Sequence, residues 1–379
     1  MPPKDRTLLN KAKLLVGWRQ WQNWKELRIS RSIEAAASDF VFSCTLHPKM
    51  EMPDFKIFPG EPCRVSIGED LLLTGHVDDV SQSYDAHHRT VSISGRSLTA
   101  DLIDCSAREV PGCYFGLKLE QIGEMLAEPY RVPVRAEVDT GPHIPVFKVH
   151  PGESVHAAIE RHARAQGVIV TDDEKGALVL TRAGAHRSPT KLALGRNVLS
   201  ADAHFSHRDR YSLYVVKGQQ GQRMFAHEGM AEVDELAHPE GASADIGVGR
   251  FRRLMVVGDS AGGSQDQLRR AQWEAATRAG RALSVRYRVQ GWRGAKDELW
   301  RPNTLVKVED AWLGIERDLL IVSCTYTLSD NGTLTELQLA PKEAYELQPE
   351  VTAAAGAGYA IERPAETAPQ PFKRSYPWI

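Results

Sequence analysis

The chain has 379 residues, with 47 Lys and Arg against 49 Asp and Glu, a formal charge of −2. This near-balance excludes a globally basic nucleic-acid binder but permits local basic surfaces, and the length suits about two to four domains with real cores. Five dispersed cysteines (Cys44, Cys63, Cys105, Cys113, Cys324) without a CxxC pair predict buried free thiols rather than a zinc site. The opening MPPKDRTLLNKAK lacks an apolar core of signal-peptide length, and no run of about 18 apolar residues occurs. The expectation is a soluble protein made in a reducing cytoplasm, without membrane anchoring.

Residues 1–13 are polar and read as an arm. Residues 14–98 are all-β in texture: WKELRISRSI, DFVFSCTLH, PCRVSIG, DLLLTGHVDDV and RTVSISG are short runs divided by Pro, Gly, Asp and Asn, as in a small barrel or sandwich. Trp18, Trp21 and Trp24 are expected at the core or rim of this module, with an interface as the alternative. The texture changes after Gly95, and residues 99–196 read as an α+β domain. Its helices are Leu117–Ala127, stopped by Pro129, and Ser154–Gln166, where Val155, Ala158, Ile159, His162 and Ala163 share one face. Gly167 ends the second helix, and VIVTDD and ALVLTRAG form a hairpin turning at Lys175-Gly176.

Residues 197–348 return to β texture, with a helical insertion at about 219–281. Ser264 and Gln267 fit a capping box ahead of Leu268, Ala271, Ala275 and Ala279. Residues 349–379 are rich in Ala, Gly and Pro and read as a flexible tail, whose terminal Tyr376, Pro377, Trp378 and Ile379 either anchor on a neighbour or hang free.

The segment from Asn303 to Pro341 reads as a β-meander. Leu337 and Leu339 face one side and Glu336 and Gln338 the other, and Asp330-Asn331-Gly332 suits a hairpin turn. Residues 61–96 repeat the order of parts: RVSI corresponds to LVKV, GEDLLLTGHVDDV to ERDLLIVSCTYTL, and VSIS to ELQL. Either the chain carries two related β-modules, or these are two unrelated hairpins.

Catalytic motifs are scarce. His76, Asp78, Asp79, His87 and His88 gather around one hairpin, and His204, His207 and Asp209 form a second group. Neither has zinc-enzyme spacing. Walker, GxSxG, HExxH and dinucleotide-binding patterns are missing, and GDSAGG at 258–263 reads as a loop leading into a helix. VHPGESVHAAIERHARAQG resembles the start of a peptidoglycan-binding LysM module over one turn and one helix, or is an ordinary turn-helix start. No enzyme activity, cofactor or metal is expected. The stronger feature is a run of ten arginines, Arg250, Arg252, Arg253, Arg269, Arg270, Arg278, Arg281, Arg286, Arg288 and Arg293, against three acids and no lysine. Guanidinium groups suit phosphate contacts and bidentate pairing across interfaces. The alternatives are a solvated face, a subunit interface, or a surface facing nucleic acid.

Three segments in order, GRSLTADLIDCSA, PGESVHAAIERHARAQGVIVTDDEKGALVLTRAG and LWRPNTLVKVEDAWLGIERDLLIVSCTYTLSDNGTLTELQLAP, resemble the baseplate hub protein of Mu-like contractile-tailed bacteriophages. The resemblance spans roughly residues 14–345. It implies a mainly β fold with α+β parts: two related small antiparallel β-barrel modules, an intervening α+β domain and a helical insertion. It further implies a homotrimeric ring in the virion baseplate, between the tail tube protein and the central spike protein and beside the wedge proteins. Six similar modules would meet a sixfold tube, and DNA would cross the lumen in transient, non-specific contact. The ten arginines then become candidates for lumen or subunit-interface positions. Alternatives are the hub of a tailocin or type VI secretion spike, or a peptidoglycan-binding or cell-wall-degrading protein.

Overall fold

The computed structural model describes residues 10–46, 57–108, 112–184, 186–218, 240–257 and 264–346. The first module holds β1 (Ala12–Val16), β2 (Arg19–Trp21), β3 (Glu26–Ser32), β4 (Asp39–Leu46), β5 (Pro62–Ile67), β6 (Asp70–Tyr84) and β7 (Arg89–Ser97). The arm expected over residues 1–13 is therefore shorter, because Ala12 already opens a strand paired with β5; residues 1–9 lie outside the described residues.

The middle unit has α1 (Ala100–Asp104), β8 (Cys113–Leu117), α2 (Leu119–Ala127), β9 (Val134–Ala136), β10 (Ile144–Lys148), α3 (Val155–Ala165), β11 (Ile169–Asp172) and β12 (Leu178–Thr181). Helix α3 starts where the periodicity placed it: the Ser154 side chain accepts from the Ala157 N–H at 3.2 Å. Val155, Ala158, Ile159 and Ala163 then pack under Phe147, Leu178 and Leu180. The hairpin turn is held by Asp173, whose Oδ1 accepts from the N–H groups of Lys175 and Ala177.

The second module comprises β13 (His186–Arg187), β14 (Leu192–Ala193), β15 (Val198–Phe205), β19 (Leu283–Gln290), β20 (Thr304–Asp310), β21 (Ile315–Ser329) and β22 (Gly332–Ala340). Both β13 and β14 lie parallel to β20, so residues 186–193 join this module, although the α+β unit was expected to reach residue 196. Inserted between β15 and β19 are β16 (Leu213–Lys217), β17 (Glu240–Ala244), β18 (Arg253–Val257) and α4 (Ser264–Arg281). The insertion is therefore not purely helical. A three-stranded sheet, β17-β16-β18, covers one face of α4, with Tyr214 and Val216 packed on Ala271 and Ala275. Helix α4 already includes Ser264, the residue expected as its cap, and the residues just before it lie outside the described residues. Residues 219–239, much of the predicted insertion, also lie outside them, as do residues 258–263 and the tail from residue 347.

The two modules share one strand order. The first runs β5-β6-β7-β4-β3 and the second β20-β21-β22-β19-β15. One constant shift relates the registers of the β6–β7 and β21–β22 hairpins. Val77–Gly95, Asp79–Ser94 and Val80–Ile93 become Ile321–Leu339, Ser323–Gln338 and Cys324–Leu337, and both copies bulge at the same step. A bulge conserved between two hairpins is a shared structural device, so the repeat is a duplication of one module. The expected residue matches need correction: GEDLLLTGHVDDV aligns four positions earlier, on WLGIERDLLIVSC, and VSIS one position earlier, on TELQ. The four-residue slip is even, so it keeps every side chain on its face and a period-2 pattern does not reveal it.

The modules also share one sheet and one core. Strand β21 takes β20 along its first part and β3 along Ser323–Leu328, so hydrogen bonding passes from module to module. Phe40, Phe42, Val65, Leu73 and Ile93 of the first module lie in the same buried cluster as Tyr287, Val308, Leu319, Tyr326 and Leu337 of the second. Of the three early tryptophans, Trp24 is buried against Phe42 with ring centroids 4.9 Å apart and Trp21 packs at the core's edge, while Trp18 is exposed.

Candidate functional site

Alternation along the shared sheet sorts its faces. Leu27 and Ile29 of β3, Tyr326 of β21, Leu337 of β22 and Tyr287 of β19 point into the core, while Arg28, Thr325, Thr327, Glu336, Arg286 and Arg288 point away. This polar face crosses the junction between modules. A shallow groove of about 720 Å³ follows it, lined by Arg28, Val41, Arg288, Thr325, Thr327 and Glu336.

The arginine run separates into five settings. Arg286 and Arg288 lie on this polar face and share Glu336, with Nε–Oε1 at 3.1 Å and Nη2–Oε2 at 3.6 Å. Arg270 and Arg278 clasp buried Glu274 within α4, each at 2.9 Å, with Arg270 over Trp273. Arg252 stacks on Tyr211 and donates to the carbonyls of His207 and Arg208, holding the insertion's own loop. Arg293 is nearly buried and spans the two modules, meeting Asp70 at 2.6 Å and the Ile67 carbonyl at 3.0 Å. Arg250, Arg253, Arg269 and Arg281 are exposed and carry no ion pair among the described residues. Several members of the run therefore serve the fold, and two lie on the polar face of the shared sheet.

The composition did not single out the joint at which three units meet. Asp172 at the end of β11 accepts from Ser38 twice, Oδ1 from the hydroxyl at 2.8 Å and Oδ2 from the N–H at 3.0 Å. Arg31 of β3 donates to the Asp172 carbonyl, and Glu174 lies 3.9 Å from Arg31 and 3.5 Å from Arg301 of the second module. Burial pushes the Asp172 carboxyl above the ordinary range, with Arg31 pulling the other way. An acid within a strand-turn pattern carries no signal of this kind, since its partners lie more than a hundred residues away.

The histidine groups are used locally. Asp78 is engaged by Arg96 at 2.7 Å, and the N–H groups of His87 and His88 donate to Asp85. Among the described residues no three His, Cys, Asp or Glu side chains converge as metal ligands. All five cysteines are free thiols; burial pushes Cys63 up to about 12 and raises Cys324 further still. The LysM-like turn and helix form part of the middle unit's core. The GDSAGG loop lies outside the described residues.

Family descriptions match three parts of the chain. Residues 11–97 match the N-terminal domain of Mu phage baseplate assembly protein GpP-like proteins, residues 99–182 the second domain of baseplate hub protein gp44-like proteins, and residues 263–348 the fourth domain of Mu phage baseplate assembly protein GpP. Baseplate hub protein gp44 of Escherichia phage Mu is 31% identical over 346 residues, covering 89% of each chain. The 43 kDa tail protein of prophage MuSo2 from Shewanella oneidensis superposes with a TM-score of 0.77 at 30% identity, covering 89% of this chain and 100% of that one. An Escherichia coli type VI secretion component, described as structurally similar to T4 phage tail proteins gp27 and gp5, shares the fold at 11% identity. Its TM-score is 0.53, over 89% of this chain and 79% of that one. With a repeated β-module and a relative of this identity along nearly its whole length, the chain belongs to the baseplate hub protein family of Mu-like phages.

Proposed function

We propose that three copies form a ring at the centre of the baseplate, joining the sixfold tail tube to the trimeric spike and leaving a lumen for DNA. The observation that carries this reading is the duplication in register. Three chains with two like modules each present six like surfaces, which resolves the mismatch between a threefold spike and a sixfold tube. The polar face carrying Arg28, Arg286 and Arg288 lines the lumen, where guanidinium groups meet passing phosphates without reading bases. The tube protein sits on one face of the ring and the spike on the other, with wedge proteins around the rim. The role is architectural and the particle is the virion.

The mass of the full chain in solution tests the reading. Light scattering should return three times the 42.1 kDa chain mass, and a monomer at all concentrations would count against a ring. The fold shared with a secretion component favours one further reading, the hub of a DNA-free injection machine. Particles carrying this chain and packaged DNA would exclude it.

A further inference from the structure

We propose that the loop between β17 and β18 is a membrane-contact site: Ile246 and Phe251 enter the headgroup layer of an anionic bilayer while Arg250 and Arg253 meet lipid phosphates. The contact is peripheral and reversible rather than an anchor. It goes beyond the ring reading, on which only its threefold repetition rests.

Residues 246–257 read IGVGRFRRLMVV, with seven large apolar residues, three arginines and neither acid nor lysine. Alternation along β18 divides the apolar ones. Leu254 and Val256 pack toward α4 beside Tyr211, while Arg253, Met255 and Val257 turn outward and are exposed. In the loop itself Val248 is buried, whereas Ile246 is 99% exposed and Phe251 81%. A lone exposed apolar side chain needs no explanation, but four within twelve residues, interleaved with arginines, mark an interaction patch. Arg250 and Arg253 have no ion pair among the described residues. The one acid at the loop's start, Asp245, is held by Arg210 at 2.6 and 2.9 Å, and Glu240 on the sheet's outward face lies 3.8 Å from Lys217. The patch therefore presents uncompensated positive charge around its apolar tips.

The loop is held rigid from both ends, so its tips are displayed rather than collapsed. Asp245 Oδ1 accepts from the Gly247 N–H at 2.9 Å, and the Asp245 carbonyl accepts from the Val248 N–H at 3.3 Å. At the other end the Arg252 N–H donates to the Ser212 hydroxyl at 2.8 Å, and the Arg252 guanidinium stacks on Tyr211. Ordering is thereby completed before any partner arrives, which favours binding. The chemistry of the patch selects an anionic lipid surface. Apolar and aromatic side chains settle at the boundary between headgroups and acyl chains, and each arginine near an anionic leaflet adds attraction to phosphate. In a threefold ring the three equivalent loops lie in one plane, so a flat bilayer engages all three together, and weak single contacts add into a firm one.

Co-sedimentation of the full-length protein with vesicles tests the site, using phosphatidylcholine alone and phosphatidylcholine mixed with phosphatidylglycerol. The protein should bind the mixed vesicles and leave the neutral ones. Ile246→Ser with Phe251→Ser should weaken binding roughly tenfold, and Arg250→Gln with Arg253→Gln should remove the preference for anionic lipid. All four side chains are exposed, so urea midpoints should match wild type. Trp18→Ala, which removes a similarly bare aromatic elsewhere, should leave binding unchanged. Failure to bind mixed vesicles overturns the proposal, as does equal binding by wild type and the Ile246 and Phe251 double variant. If wild type ignores vesicles but that double variant fails to enter particles, the loop is a protein contact and the lipid assignment falls. A chain that is monomeric by light scattering yet binds mixed vesicles through these residues removes the ring and leaves the site standing.

Discussion

Arg293 and Asp70 bind the two repeats to each other, with guanidinium Nη2 2.6 Å from the carboxylate Oδ2 and the arginine side chain only 9% exposed. The same guanidinium donates to the carbonyls of Ile67 and Asp297, so one side chain fixes a β-turn of the first module against a loop of the second. Arg293→Met removes charge-assisted bonds that a methionine cannot replace and should cost about 2 kcal/mol in urea denaturation. Arg293→Lys should recover less than half of this, because an ammonium group cannot reach all three acceptors. Equal stability of Met and wild type would remove the modular bridge from the account.

Asp172 predicts a pH dependence of definite sign. Its folded-state pKa is raised by burial above the ordinary aspartate value of 3.8. The stability it contributes is therefore complete below about pH 3.8 and is lost as pH rises through the folded value. Asp172→Asn cannot ionise. Its stability relative to wild type should improve as pH climbs from about 4 to about 7, read from urea midpoints at several pH values. A difference moving the other way would show that Arg31 and Ser38 outweigh burial at this site.

Gly95 and Gly75 are required by close strand contact rather than by left-handed backbone. A Cβ on Gly95 would lie 2.2 Å from the His76 carbonyl oxygen and 2.7 Å from the Phe40 ring, and one on Gly75 would lie 1.8 Å from the Arg96 carbonyl oxygen. Gly95→Ala should destabilise by about 1–3 kcal/mol through overpacking. Gly249→Ala, where nothing stands within 4 Å, serves as the comparison and should be near neutral. The same thermal or urea measurement reads both.

Arg286 and Arg288 separate folding from function. Both are about half exposed and share only Glu336, so exchanging them for Gln should change stability by less than about 1 kcal/mol. If the polar face lines a DNA path, particles carrying both changes should assemble normally but eject DNA more slowly, with the defect masked at high salt. Wild-type ejection kinetics at low salt would move these residues off the path.

What the sequence carried and what it hid divide along physical lines. Helix α3 was readable because cap, periodicity and terminating Gly167 are all local, and the same holds for the hairpin held by Asp173. The repeat was readable as an order of strands, since each strand writes its own alternation. Its register was not, because an even slip along a period-2 pattern leaves the pattern intact. The three-stranded part of the insertion escaped because β17 (EGASA) is nearly featureless, its burial coming from Gly241 pressed against Gln267 and Leu268 of α4. The junctions at Asp172 and Arg293 join residues far apart in the chain, and composition alone showed only that arginine was abundant there.

The central claim is that duplication within one chain lets a threefold ring face a sixfold tube. An image reconstruction of the tail tip from intact particles, computed without imposed symmetry, tests it most directly. The account predicts three copies around the axis, with their six β-modules abutting the last tube ring at nearly equal angular steps. Six copies, or three whose two modules meet the tube differently, would contradict it.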